Sequence, residues 1–138
     1  MPLTIDIVTP ARKVFTSAAD SVVLPTQSGQ VDILPGHIPL TTLLVPGEVV
    51  VTFGDKVENL VIDKGFARIL GDTVSILTEA AIDTDDIDLG AVEAAEKRAA
   101  AALELAKGGK GEIDPAEFEK MEQILRFAAV QKLIKRPR

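Results

Sequence analysis

The feature that most narrows what this chain can fold into is a change of hydrophobic period near residue 80. From Leu3 to Thr78 the apolar residues come in short runs, LTIDIV, DSVVLP, VDIL, EVVVTF, VENLVI, GFARIL and TVSIL, broken by Gly, Pro and Asp. Runs of this length, rich in β-branched residues and spaced by about 8 to 12 positions, predict an antiparallel sandwich or barrel. Leu3, Ile5 and Ile7 alternate with Thr4 and Asp6, which turns one face inward and leaves the other in water. Gly54-Asp55 and Gly71-Asp72 each stand between two such runs, where hairpin turns are expected. No helix of normal length fits in this half.

Beyond residue 80 the pattern becomes helical. The segment IDLGAVEAAEKRAAAALELAKG is rich in alanine, with small apolar residues at Ile87, Ala91, Ala94, Ala95, Ala99, Ala102 and Ala106 forming a narrow stripe. Gly108, Gly109 and Gly111 end it. A second helix opens at Asp114-Pro115, with Asp114 as N-cap, Pro115 at the first helical position and Glu117 placed to close a capping box. The chain therefore reads as a β domain over residues 1–82 followed by a helical hairpin over 83–138. The helices are expected at about 85–107 and 114–136, joined by a glycine-rich hinge at 108–112. Ile124, Leu125, Phe127, Ala128, Ala129 and Val130 cover more of the second helix than one alanine-rich neighbour can bury. The hairpin is expected either to pack on the β domain or to exchange its contacts for those of a larger partner.

Composition excludes several functions. No run approaches the ~18 apolar residues of a membrane span, and Met1–Val8 lacks the basic start and cleavage site of a targeting peptide. The chain is expected to be globular and to stay where it is made. Zero cysteines remove thiol catalysis and thiolate metal sites. A net charge of -6 argues against nucleic acid, and aromatic residues amount to 4%, all Phe, leaving few surfaces for stacking bases or sugars.

His37, the single histidine, sits in Pro35-Gly36-His37-Ile38-Pro39. A general base needs an orienting carboxylate and a pocket, and a metal site needs further ligands. No second histidine exists, and Asp32 nearby does not make a dyad. Two prolines stiffen the loop, which suits a recognition surface because docking a rigid loop costs little entropy. Asp83, Asp85, Asp86 and Asp88 resemble calcium ligands at first sight, but Ile87 breaks the spacing of an EF-hand loop, and carboxylates opening a helix complement its dipole. KGGKGE lacks the first glycine of a phosphate-binding loop and carries Gly111 where Ser or Thr must follow. The last helix begins with Glu117, Glu119 and Glu122 and ends with Arg126, Lys132, Lys135, Arg136 and Arg138. This asymmetry fits the helix dipole; it also fits a basic tip aimed at an acidic site on a partner.

The order of sandwich then hairpin, together with Leu24-Pro25, Gly29, Ile33-Leu34-Pro35-Gly36-His37, Pro39-Leu40, Pro46-Gly47, Gly65-Phe66-Ala67 and Val74 to Leu77, resembles the epsilon subunits of bacterial and chloroplast F-type ATP synthases, called delta in mitochondria. The resemblance implies a non-catalytic rotor subunit without a required cofactor. It would be clamped to the gamma subunit and the c-ring, on the cytoplasmic face of the bacterial inner membrane, coupling ion flow to ATP synthesis. It further implies that Ser28, Gly29, Gln30 and Asp32 face the ring, and that His37, Ile38, Leu40 and Thr42 face gamma. Gln30 stands where family members often carry an acid. The family's hairpin can extend toward the alpha and beta subunits and block hydrolysis, a role that would fall here to Arg126, Lys132, Lys135 and Arg136. Some relatives hold the hairpin down with ATP. Their motif falls on Ile87 and Asp88, with Arg126 a further candidate, but its Arg and Ala are replaced by Ala91 and Val92 here, and Gly90 weakens that helix start by roughly 1 kcal/mol against Ala. Two alternative readings are a free-standing sandwich that binds a small ligand and a small lyase or isomerase with a carboxylate base.

Overall fold

The computed structural model describes residues 2–107 and 114–135, with the side chains of residues 106 and 107 outside the description. The glycine hinge at Gly108, Gly109 and Gly111, and the basic residues Arg136 and Arg138, lie outside the described residues. The chain divides into two compact units, Met1–Asp86 and Ile87–Arg138.

The first unit is a nearly closed β-sandwich, as the strand spacing predicts, antiparallel throughout except where its first strand runs parallel to its ninth. Its strands are β1 (Leu3–Val8), β2 (Lys13–Ala19), β3 (Ser21–Thr26), β4 (Gly29–Ile33), β5 (Leu40–Leu44), β6 (Gly47–Phe53), β7 (Lys56–Ile62), β8 (Gly65–Leu70), β9 (Thr73–Thr78) and β10 (Ala81–Asp83). They run in the order β10-β7-β6-β3-β5-β8-β9-β1-β2, with β4 paired to β3. Two layers are joined at the corner where Thr26 of β3 meets Leu44 of β5, the one register pair between those strands. Alternation works as expected on β1, where Leu3, Ile5 and Ile7 are fully buried and Thr4 is exposed. Their neighbours in one continuous core include Val22, Leu24, Val49, Leu60, Ile62, Ile69, Val74 and Ile76, contributed by both layers. Each such side chain stabilises the fold by about 1.5–3 kcal/mol relative to exposure.

Gly54 and Gly71 turn β6 into β7 and β8 into β9 with φ of 59° and 61°, the left-handed conformation that glycine adopts without penalty. The β8–β9 pairing is closed more tightly at its open end. A Cβ on Gly65 would lie 1.9 Å from the Leu77 carbonyl oxygen. The buried Thr78 hydroxyl lies within hydrogen-bond reach of the carbonyls of Asp63, Lys64 and Ala80, at 2.9, 3.1 and 3.1 Å.

Three strands fall outside the expected runs. Lys13–Ala19 shows little alternation, Leu40–Leu44 sits between prolines that read as loop, and Ala81–Asp83 is only a short pairing with β7. The start of the first helix is also corrected. Thr84–Asp86 form a 3₁₀ turn, held by Thr84 Oγ1 donating to Asn59 O and by Asp85 N donating to Asp83 Oδ1. The helix α1 spans Leu89–Lys107 rather than starting at 85. Asp88 caps it, its Oδ1 accepting from the amides of Gly90 and Ala91 at 3.0 and 3.2 Å. Its buried stripe is Val92, Ala99 and Leu103, whereas Ala91 and Ala94 are exposed. Of the expected stripe, Ile87 and Ala99 are buried and Ala95 and Ala102 half-buried, but Val92 and Leu103, with more surface to bury, take inner positions that the alanine pattern does not mark. Helix α2 spans Pro115–Ile134, two residues shorter at its end than expected, and Asp114 Oδ1 caps it through Ala116 N. The two helices pack on each other. Along α2, Ala128 and Gln131 are buried, Ile124, Leu125, Phe127 and Val130 are half-buried, and Ala129 is exposed.

Candidate functional site

The loop around His37 is a built turn. Pro35 and Gly36 occupy its central positions, Gly36 has φ 84°, and His37 N donates to Leu34 O at 3.1 Å, the geometry of a type II turn with proline then glycine. His37 Nδ1 lies 2.6 Å from Ile38 O. A carbonyl only accepts, so this contact requires the proton on Nδ1. The imidazole is thereby committed to its neighbour's backbone and helps to fix the loop, while Ile38 beside it is 74% exposed. Among the described residues no group of three or more His, Cys, Asp or Glu side chains could hold a metal ion.

A second tight turn presents Ser28, Gly29 and Gln30. Thr26 Oγ1 accepts from Ser28 N and donates to Gly29 O, Gly29 has φ 110°, and all three residues are exposed at the β3–β4 hairpin tip. Asp32 follows, exposed, opposite Val23. The base of this hairpin meets β5 where Thr26 pairs with Leu44, and the His37 loop enters the same strand at Leu40, which pairs with Ile69.

Between them lies a feature that the sequence reading did not single out. Register places Leu43 opposite Phe66 and Phe66 opposite Leu77, and Leu77 beside Val8 on β1. These side chains form a row across four strands on the outer face of the sheet. At about 4.8 Å per strand the row is about 14 Å long. Leu43, Phe66 and Leu77 are 49%, 54% and 55% exposed. Shallow depressions of about 470 and 420 Å³ flank Phe66, one reaching Leu43 and Pro46 and the other Val8 and Pro10, with Lys64 and Glu79 bordering both. The next row on this face is polar, Thr41, Arg68, Ser75 and Asp6. Beyond it Leu70 is 54% exposed. One signal for this surface was available in GFARIL, which carries large apolar residues at both parities, Phe66 and Leu70 facing out and Ile69 facing in. A strand apolar on both faces needs a cover on both.

In the helical unit Lys132 Nζ donates to Glu96 Oε1 at 2.9 Å. That hydrogen bond, and then the charges of Glu96 and Glu93, raise the Lys132 pKa above the ordinary lysine value. Arg126 is half-buried on α2, and Lys135 stands at its C-cap with its amide donating to Gln131 O. Ile87 is buried, and Asp88 uses Oδ1 to cap α1.

Comparison with known proteins fits this arrangement. Residues 2–84 match the family model described as the ATP synthase delta/epsilon chain, beta-sandwich domain. The chain is 37% identical to ATP synthase epsilon chain 2 of Ralstonia nicotianae, with all of both chains covered. It is 37% identical to the ATP synthase epsilon chain of Acidithiobacillus ferridurans over 96% of this chain and 95% of that one. Among solved structures, a chain of the Euglena gracilis mitochondrial ATP synthase (OSCP/F1/c-ring) shares the fold with a TM-score of 0.63 at 23% identity, covering 96% of this chain and 81% of that one. A chain of the Tetrahymena thermophila mitochondrial ATP synthase central stalk and c-ring does so with a TM-score of 0.57 at 13% identity, covering 97% and 96%. The strand pattern, the proline-braced turn and these matches agree: the chain belongs to the ATP synthase delta/epsilon family.

Proposed function

We propose that this chain acts as a non-catalytic rotor subunit of an F-type ATP synthase, binding the gamma subunit and the c-ring and coupling ion flow to catalysis. The observation that carries this reading is the apolar row of exposed Leu43, Phe66 and Leu77 with half-buried Val8. On a chain of net charge -6, a contiguous apolar strip bordered by the polar row Thr41, Arg68, Ser75 and Asp6 marks a protein contact rather than a random exposure. The strip starts one residue from Thr42 and so extends the His37–Thr42 segment assigned to gamma. The Ser28–Asp32 tip, whose base meets β5 at Leu44, takes the ring. Because strands hold the row and a hydrogen-bonded turn holds the loop, docking orders few groups and costs little entropy. Among the described residues no helix is long and apolar enough to cross a membrane; the rotor role itself puts the subunit at the periphery of the membrane, on the cytoplasmic face. The helical unit, with its basic end, is read as the part that restrains ATP hydrolysis by meeting the alpha and beta subunits.

The test is co-purification of the synthase from membranes carrying the variant Phe66→Ser with Leu77→Ser. Both side chains are more than half exposed, so the sandwich should fold as before, judged by circular dichroism, while recovery with gamma and c subunits falls at least tenfold. Recovery equal to the unaltered chain would show that the row is not the docking face.

A further inference from the structure

Within the basic end of the helical unit, Lys132 is already paired. Lys132 lies one turn beyond the buried Ala128, and Glu96 lies one turn before the buried Ala99. Both therefore stand at the edge of the seam between α1 and α2, not on the outer faces. Their side chains are 40% and 29% exposed, and the 2.9 Å contact joins residues separated by 36 positions. Glu93, one turn earlier on α1, adds its charge to the field at the Lys132 ammonium. An acidic strip on α1 thus offers Lys132 what an acidic segment on another protein would offer it.

We infer that Glu96 is an internal substitute for the acidic partner site: it holds Lys132 while α1 and α2 are together and releases it for an intermolecular contact only when they part. The inference rests on the reading that the basic end of α2 restrains hydrolysis by meeting acidic segments of the catalytic head. The ammonium has three donors, but while Glu96 draws it into the seam edge it does not extend to a carboxylate on another protein, so closure and partner binding compete. Glu96 in this account does not touch the partner; it sets how often Lys132 is available.

The test uses the complete chain in the assembled synthase. Because the chain has no cysteine, Ala94→Cys with Ala129→Cys, both exposed, gives a clean pair for spin labels that report the separation of the helices. Glu96→Gln keeps shape and removes the charge. It should raise the open population about two- to fivefold, the range for a partly exposed ion pair, and lower ATP hydrolysis in proportion. The exchange Glu96→Lys with Lys132→Glu should restore the closed separation yet leave hydrolysis higher than in the unaltered enzyme, because an acid at position 132 repels an acidic partner. Unchanged separation in Glu96→Gln would overturn the inference. A variant lacking residues 112–138 separates the two claims. If that deletion raises hydrolysis but Glu96→Gln does not lower it, the internal-substitute account fails alone. If the deletion leaves hydrolysis unchanged, the brake itself fails and the inference falls with it.

Discussion

Gly65→Ala should be among the most damaging single-methyl additions to the sandwich. The added Cβ would lie 1.9 Å from Leu77 O, 2.8 Å from Thr78 Cα and 2.9 Å from Leu77 C, all backbone atoms of the neighbouring strand. No side chain can move aside, so β8 and β9 must separate by more than 1 Å at a place where paired strands sit about 4.8 Å apart. The register pair Gly65–Thr78, the 3.3 Å bond from Glu79 N to Lys64 O, and the Thr78 hydroxyl contacts all lie within this opening. Losing one or two of these bonds costs about 1 kcal/mol each, and leaving the buried Thr78 hydroxyl unpaired about 1–3 more. The total is about 2–5 kcal/mol, reaching the upper end of single substitutions. In a unit of this size that lowers the melting temperature by about 8 °C or more. Thermal unfolding followed by circular dichroism measures it, with Gly54→Ala as the comparison. Gly54 has φ 59° and nothing within 4 Å of an added Cβ, so that change pays only the left-handed backbone cost of roughly 1–2 kcal/mol. Equal losses in the two variants would refute the steric account of the β8–β9 corner.

Two further outcomes follow from the helical unit. Gly90→Ala should stabilise α1 by roughly 0.5 kcal/mol, part of the glycine-to-alanine difference in helices. The new Cβ meets only Asp88 Oδ1, at 3.3 Å, and that exposed side chain can yield. Slower amide exchange at Val92 and Glu93 would report the gain, while faster exchange would mean the Asp88 cap had been displaced. The Lys132 contact also fixes a pH response. Its pKa is raised in the folded chain by the bond to Glu96, so the contribution to closure is complete below the ordinary lysine value of about 10.4 and disappears as pH rises through the higher folded value. Spin-label separation between α1 and α2 should be flat from pH 7 to 9 and widen only above about pH 10; widening near neutrality would assign closure to another group.

What the sequence could disclose followed from the range of the interactions. Alternation on Leu3–Val8 and the Gly-Asp turns are local, and they located strands whose partners lie next to them in the chain. Lys13–Ala19 escaped because an edge strand half-buried on both sides has no period to read; only its register with β1, Leu3 opposite Ala19, defines it. Leu40–Leu44 escaped because Pro39 and Pro46 sit just outside it, where proline ends a strand rather than forbidding one. The docking row could not be read position by position, since Val8, Leu43, Phe66 and Leu77 meet only after four strands have taken their register. The acids from Asp83 to Asp88 read as one helix start, yet Asp83 ends β10, Asp85 and Asp86 lie in a 3₁₀ turn, and Asp88 alone caps α1. The Glu96–Lys132 pair shows the same limit, because the phase of α1 was set by counting alanines instead of weighing them against Val92 and Leu103.

The two units differ in how much holds them, and the difference suits different tasks. The sandwich core contains more than a dozen fully or nearly fully buried Leu, Ile and Val side chains, each contributing about 1.5–3 kcal/mol, so its outer face keeps its shape under load. The rotor role proposed above would require this, since any yielding of β5, β8 or β9 would dissipate a twist before it reached a partner. Among the described residues of the helical unit, the buried apolar side chains are Ile87, Val92, Ala99, Leu103 and Ala128, and alanine buries little. A seam of this kind is held only slightly beyond the cost of ordering its side chains, and at such a seam one partly exposed ion pair can shift the balance severalfold. Packing the seam with larger residues would hold the hairpin shut and leave Lys132 out of a partner's reach.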